Sequence, residues 1–217
     1  MSVLTQLFLP FLYFSLNMMP TQDTVPSNKI IPESIKEEAL IALSYFPELK
    51  DIHITFKFKD KIKKSTMQAQ PTWGSFFKRS KKREYIILIS REIQIENEAF
   101  TINDIPSDVI VGWLGHELGH VIDYSDRNNF GMLIFGFKYL FSKMHIKEVE
   151  RTADTIAVAH GMGDYILQTK NFILDHANIS ERYKKRIRSF YMSPEEVMEL
   201  INKGKLDPIL LSGNHNI

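Results

Sequence analysis

The chain contains no cysteine among its 217 residues. That absence removes disulfide frameworks, cysteine-ligated zinc ribbons and thiol nucleophiles together, so any metal must sit on histidine and carboxylate. No charge of one sign dominates either. The 27 Lys and Arg stand against 26 Asp and Glu, a formal net charge of +1 that offers no global attraction to nucleic acid or acidic membranes. Internal repeats and low-complexity stretches are missing too, which excludes solenoids and biased tails. With 44% hydrophobic and 24% charged residues the composition is that of a globular chain, and the length suits one domain with a short extension.

Charge is also absent locally. The first 22 residues carry none, and residues 3–19 (VLTQLFLPFLYFSLNMM) resemble the apolar centre of a secretory signal. The match is incomplete, because no Lys or Arg precedes the run, polar residues and Pro10 interrupt it and no small-x-small cleavage site follows. Its 17 residues also fall short of the roughly 20 that cross a hydrocarbon core. Export or membrane attachment through this segment, burial in the fold, and a true start at Met18 or Met19 are the three readings, and an exported or membrane-associated protein is expected about as readily as a cytoplasmic one. The expected organisation is residues 1–28 as apolar segment and linker, 29–205 as the folded domain and 206–217 as a tail.

Residues 33–49 place Ile35, Ala39, Leu40, Leu43 and Phe46 at helical spacing, which predicts an amphipathic helix ended by Pro47. Alternation over 52–58 predicts a strand, 65–70 a second short strand, and the continuous apolar run 85–89 a strand buried on both faces. From Ser107 onward the pattern is helical, over 107–124, 132–142, 146–160, 164–177, 180–190 and 194–203, with Ser107 the expected N-cap behind Pro106. The expected fold class is α+β: a small N-terminal β-sheet, then a motif helix, a Glu-bearing helix and further C-terminal helices.

The first of those helices contains His116-Glu117-Leu118-Gly119-His120. Two His at i and i+4 share one helical face about 6 Å apart, close enough to hold one zinc, while Glu117 is turned about 100° aside and can hold a water there. With 7 His and 15 Glu in the chain, chance would supply such a motif only roughly 0.015 times. Gly112, Gly115 and Gly119 fall along one stripe of the same helix, each costing about 1 kcal/mol relative to Ala. The stripe is expected to let the backbone lie close against the sheet.

A catalytic zinc needs a third protein ligand and an open position. Glu150 is favoured because Asp154, at i+4, shares its face and can accept the free ring N–H of a ligating His. Glu148 has Thr152 in that place. Asp126 needs a Gly three residues after the second His, where Asp123 stands, and His145 is the remaining candidate.

The strings HELGH and ERTADTIA resemble the gluzincin superfamily of zinc metallopeptidases, thermolysin-like and minigluzincin-like, and with them a zincin-like fold. The resemblance covers about residues 109–160. It implies His116, His120 and Glu150 as zinc ligands, Glu117 as general base and Asp154 as support for a zinc-bound His. The implied function is hydrolysis of a peptide or protein substrate, with Glu117 taking a proton from the attacking water and returning one to the leaving amine. Tyr124, His145, His160 and Tyr165 are candidate donors to the developing oxyanion. The short, mixed-polarity strand ended by Pro71 is the expected edge strand, with Met67, Gln68, Ala69 and Gln70 pairing with substrate.

Ten basic residues and one acid lie between 57 and 83, read as charged turns at strand ends rather than a nucleic-acid surface. The aromatic run 130–141 (FGMLIFGFKYLF) is expected to pack over the motif helix. Two rivals to the peptidase reading are a zinc-binding scaffold or partner-binding protein without turnover, against which Glu117 argues, and a helical partner-binding domain with a chance motif.

Overall fold

The computed structural model describes residues 25–62, 65–79, 82–95, 98–175 and 181–206. The apolar run 3–19 and nearly all of the expected tail lie outside the described residues. Strands β1 (Lys29–Ile30), β2 (Ile54–Lys59), β3 (Met67–Pro71) and β4 (Tyr85–Ser90) form one sheet in the order β1-β2-β4-β3. The first two and β4 run parallel, and β3 lies antiparallel to β4 on the far edge. A hairpin of β5 (Ile93–Ile95) and β6 (Glu98–Phe100), not expected from the sequence, follows.

β4 differs from the expectation of a strand buried on both faces. Tyr85, Ile87 and Ile89 are fully buried, whereas Ile86 and Leu88 are half-buried, so only one face enters the main core. β1 is too short for periodicity to reveal. It is pinned by Lys29, whose Nζ donates to the carbonyls of Leu49 (2.9 Å) and Lys50 (3.2 Å), and whose pKa burial lowers to about 8.

The helix expected over 33–49 is shorter, α1 (Lys36–Ser44), because Pro47 lacks an N–H and begins a separate 3₁₀ turn. α2 (Ser107–Asp126) carries the motif. Ser107 is its first helical residue rather than its cap: Pro106 holds the cap position, and the Ser107 hydroxyl donates to Glu38 at 3.0 Å. α3 (Asn129–Phe141) starts three residues earlier than expected because the Asn128 side chain accepts the Gly131 N–H at 2.7 Å. α4 (Lys143–Ala157) runs through a wide turn at Val158–Met162, broken at Gly161 with φ 90°, into α5 (Gly163–Asp175); α6 (Glu181–Phe190) and α7 (Pro194–Leu206) complete the helical half. The chain is thus α+β, with α2 packed against α1, β3, α4 and α5.

Arg83, read from sequence as one more charge in a basic turn, is buried. Its guanidinium donates to the carbonyls of Tyr124 (2.7 Å) and Arg127 (3.2 Å) and to Asn129 Oδ1 (2.9 Å), closing the C-terminal end of α2. The aromatic run 130–141 meets its expectation on one side only. Met132 and Phe135 are buried, while Phe137, Leu140 and Phe141 face solvent.

The glycine stripe corrects another expectation, since it faces helices and not the sheet. A Cβ on Gly112 would strike the Tyr165 carbonyl of α5, one on Gly115 would lie 2.5 Å from Met162 Sδ, and one on Gly119 would lie 2.6 Å from the Ala153 carbonyl oxygen of α4. Two helix backbones approach this closely only where one of them has no side chain. Gly119→Ala, pressed against backbone that cannot yield, is expected to lower the unfolding free energy by about 2–3 kcal/mol. Gly136→Ala in α3 meets nothing within 4 Å and should raise it, by up to about 1 kcal/mol. Denaturant midpoints of the two variants check the contrast.

Candidate metal centre

Three side chains from two helices converge. Glu150 Oε2 on α4 lies 3.1 Å from His116 Nε2 and 3.6 Å from His120 Nε2, both on α2. One donor atom from each of these residues falls within 4.8 Å of the others, the one such group of His and carboxylates among the described residues. All three are buried or nearly so, and the two imidazoles stand edge to face at 4.7 Å between centroids. Donors held about 2.1 Å from a tetrahedral ion lie about 3.4 Å apart, so the observed separations bracket that span, and two imidazoles with a carboxylate form a borderline set that suits zinc. The residues therefore fit a zinc ion. His120 Nδ1 is the exception in the surroundings: it is buried with no hydrogen-bond partner, where a ligating imidazole usually donates to one.

His116 does have that support. Its Nδ1 lies 2.9 Å from Asp154 Oδ1, one turn after Glu150 on the same helix. Asp154 is completely buried and also accepts from Lys170 Nζ on α5, at 2.8 and 2.9 Å, and from the Met192 N–H at 3.2 Å. Burial opposes its ionisation, but the Lys170 charge and the His116 bond prevail and hold its pKa down to about 2. Burial likewise opposes a charged His116, yet its bonds to Asp154 and Glu150 raise its pKa to about 10. The contacts with both imidazoles outweigh burial at Glu150 and lower its pKa.

Glu117 is buried beside this cluster, and burial raises its pKa against the pull of both His. Its Oε2 accepts the Ala69 N–H of β3 at 2.5 Å. The neighbouring N–H groups of Thr72 and Ser90 define the ladder: Ser90 donates to Thr66 and Thr72 to Glu84. Even-numbered residues of β3 thus spend their main-chain groups on β4, while Met67 and Ala69 direct theirs outward. Gln68 and Gln70 cannot offer the main-chain groups expected of them.

Of the other sequence candidates, Glu148 is exposed and pairs with His145 at 3.3 Å, and Asp126 is exposed at the last residue of α2. His160 bonds to Glu48 and stacks on Phe46, and Tyr165 packs on Tyr45, both away from the cluster. Tyr124 stacks on the His120 ring at 5.8 Å. Two tyrosines that the sequence did not single out border the site. Tyr139 on α3 donates to Glu150 Oε1 at 3.4 Å, and the Tyr191 ring lies 5.8 Å from that of His116. Burial raises both phenol pKa values, so each is a neutral O–H donor at neutral pH. Tyr139 follows Met132 and Phe135 at helical spacing and was legible as an inward residue of α3, whereas nothing in the sequence around Tyr191 marks it.

Lys170 is the other residue that sequence reasoning missed. Lys170→Met leaves the buried Asp154 carboxylate without its cation, and the unfolding free energy is expected to fall by about 3–5 kcal/mol. The double variant Lys170→Met/Asp154→Asn, which removes both charges, should be less destabilised than the single change; thermal or denaturant unfolding of the set reads the coupling. No family model matches this sequence, and neither a curated protein nor a solved structure matches it.

Proposed function

We propose that this chain is a zinc-dependent peptidase with a zincin-like fold of the gluzincin kind. The observation that carries the reading is a single arrangement: a His-Glu-x-x-His helix whose two Nε2 atoms meet Glu150 Oε2 at 3.1 and 3.6 Å, with the intervening Glu117 buried beside an edge strand. His116, His120 and Glu150 would hold the ion, with Asp154 fixing the His116 tautomer. A zinc bound there supplies a water acidified to a pKa of about 7 and polarisation of a substrate carbonyl.

The chain's own groups do the rest. Glu117, made more basic by burial, takes the proton of the attacking water and delivers it to the leaving amine. Met67 and Ala69 fix an extended peptide by their outward main-chain groups, a recognition that ignores most side chains. Tyr124, Tyr139 and Tyr191, which border the cluster, are the candidate O–H donors to developing negative charge.

The test is elemental and kinetic together. The purified chain should carry one zinc, and His116→Ala, His120→Ala and Glu150→Ala should each lose it. Asp154→Ala should weaken zinc binding by about 10- to 100-fold. Glu117→Gln should keep both the zinc and the fold while peptide hydrolysis falls by about 10²- to 10⁴-fold. Zinc content of the His variants equal to the parent would refute the site. Undiminished hydrolysis by Glu117→Gln would refute the mechanism, and a zinc-bearing parent that cleaves no peptide would favour a scaffold.

A further inference from the structure

We propose that α3 is a lipid-docking helix that seats this chain on the surface of an anionic bilayer. The helix is apolar on both sides. Its inward side packs Phe135 against the rings of Tyr124 and His145. Its outward side, with the residues just after it, exposes Phe130, Leu133, Phe137, Leu140, Phe141 and Met144, of which Phe137 is 67%, Leu140 76% and Met144 82% exposed. At about 100° per residue the five of these positions that lie in α3 fall within a stripe roughly 100° wide, and Met144 follows at the start of α4. A helix apolar all round belongs in a core or against lipid, and this one is only half covered.

Charge identifies the covering surface. Between Asp126 and Glu148 the sequence contains no acid, and Lys138, Lys143 and Lys147 are all exposed. A large apolar stripe flanked by lysines is the pattern of a helix lying in the plane of an anionic interface. A second copy docked through the same stripe would bring like charges together around a two-fold axis.

The surface continues beyond α3. Asn129 Nδ2 donates to the Phe77 carbonyl at 2.8 Å, joining the start of the helix to a loop in which Trp73 is 88% and Phe77 71% exposed. Exposed Lys78, Arg79 and Lys82 follow in that loop. Aromatic rings among lysines suit the headgroup level. Lys29, Ile54, Tyr85 and Pro71 are in register across the sheet, so the described chain begins at the same end of the sheet as this loop, and the uncharged run 3–19 lies upstream. No helix among the described residues is long and apolar enough to cross a membrane, and α3 at 13 residues is about 20 Å long, so it lies flat. Tyr139 on the same helix reaches Glu150, which sets the candidate metal centre about one helix diameter, ~10 Å, from the headgroups. The lipid contact itself requires neither metal nor turnover.

The absence of cysteine makes single labels clean. In the full-length chain, Leu140→Cys carries an environment-sensitive dye, and Glu37→Cys, exposed on α1, carries the control. Each is mixed with phosphatidylcholine vesicles with or without added phosphatidylglycerol. The dye at 140 should shift to the blue and be quenched by brominated acyl chains with the anionic vesicles, while the dye at 37 stays aqueous. Lys138→Glu/Lys143→Glu should weaken partitioning by roughly 10- to 100-fold. The proposal is overturned if the dye at 140 stays in water while the chain floats with vesicles, which would leave residues 3–19 as the sole attachment. It is equally overturned if that dye is apolar without lipid, in a concentration-dependent way for a second copy or independently of concentration for residues 3–19 folded over the stripe. Partitioning indifferent to phosphatidylglycerol would overturn the anionic assignment.

Discussion

The close approach of α2 to α4 is the constraint on which the centre depends. Gly119 directly precedes His120, one turn after His116, and Ala153 directly precedes Asp154, one turn after Glu150. A Cβ at Gly119 would stand 2.6 Å from the Ala153 carbonyl, so the two backbones touch where the four polar side chains diverge from them. Helix axes usually pack 8–10 Å apart, and an imidazole facing a carboxylate across that gap has little latitude. With the backbones in contact, His116 is held between Glu150 at 3.1 Å and Asp154 at 2.9 Å. Gly112 makes the same kind of backbone approach to Tyr165 of α5, and Gly115 leaves room for the Met162 side chain, so contacts along the stripe constrain the rotation of α2 as well as its distance. Arg83 closes the far end by binding the last carbonyls of α2 and the first side chain of α3.

Such a centre concentrates buried charge, which is costly unless each charge has a partner. Asp154 has three donors, from α2, from α5 and from the chain before α7, so three separate parts of the helical half are tied to one carboxylate. The His116 ring lies between the Asp154 and Glu150 carboxylates, and its bonds to them raise its pKa to about 10 against the burial that opposes a charge. Two carboxylates therefore face one point between the helices, where a positive charge is favoured and where a divalent cation would find the same partners.

The sequence revealed those parts of this arrangement that helical and strand periods control. HELGH and the Glu150/Asp154 pair are i, i+4 relations, fixed once their segments are helical. The edge position of β3 followed from its mixed polarity and Pro71, and it is an edge. What the sequence hid came from tertiary placement. Lys170 lies 16 residues from Asp154, and its meeting depends on the wide turn at Val158–Met162 that reverses the chain. Arg83 sits among basic residues and only the fold separates the one buried guanidinium from its solvated neighbours. The glycine stripe announced a close approach without saying to what, since the absence of a side chain carries no information about the partner.

One hydrogen bond connects the edge strand to the centre and bears on the order of events in the proposed reaction. The Ala69 N–H points outward from β3 and is taken by Glu117. That bond lowers the Glu117 pKa, opposing the burial that raises it. A peptide pairing with Ala69 needs the same donor, because a backbone N–H offers only one hydrogen. A peptide paired in the proposed way would complete its pairing with the edge only by displacing the Glu117 carboxylate, and the displaced carboxylate, buried and short of one donor, would bind a proton more strongly. In the proposed reaction the group assigned to take a proton from water would thus become a better base once a peptide is seated, and the strand proposed to hold that peptide would control it.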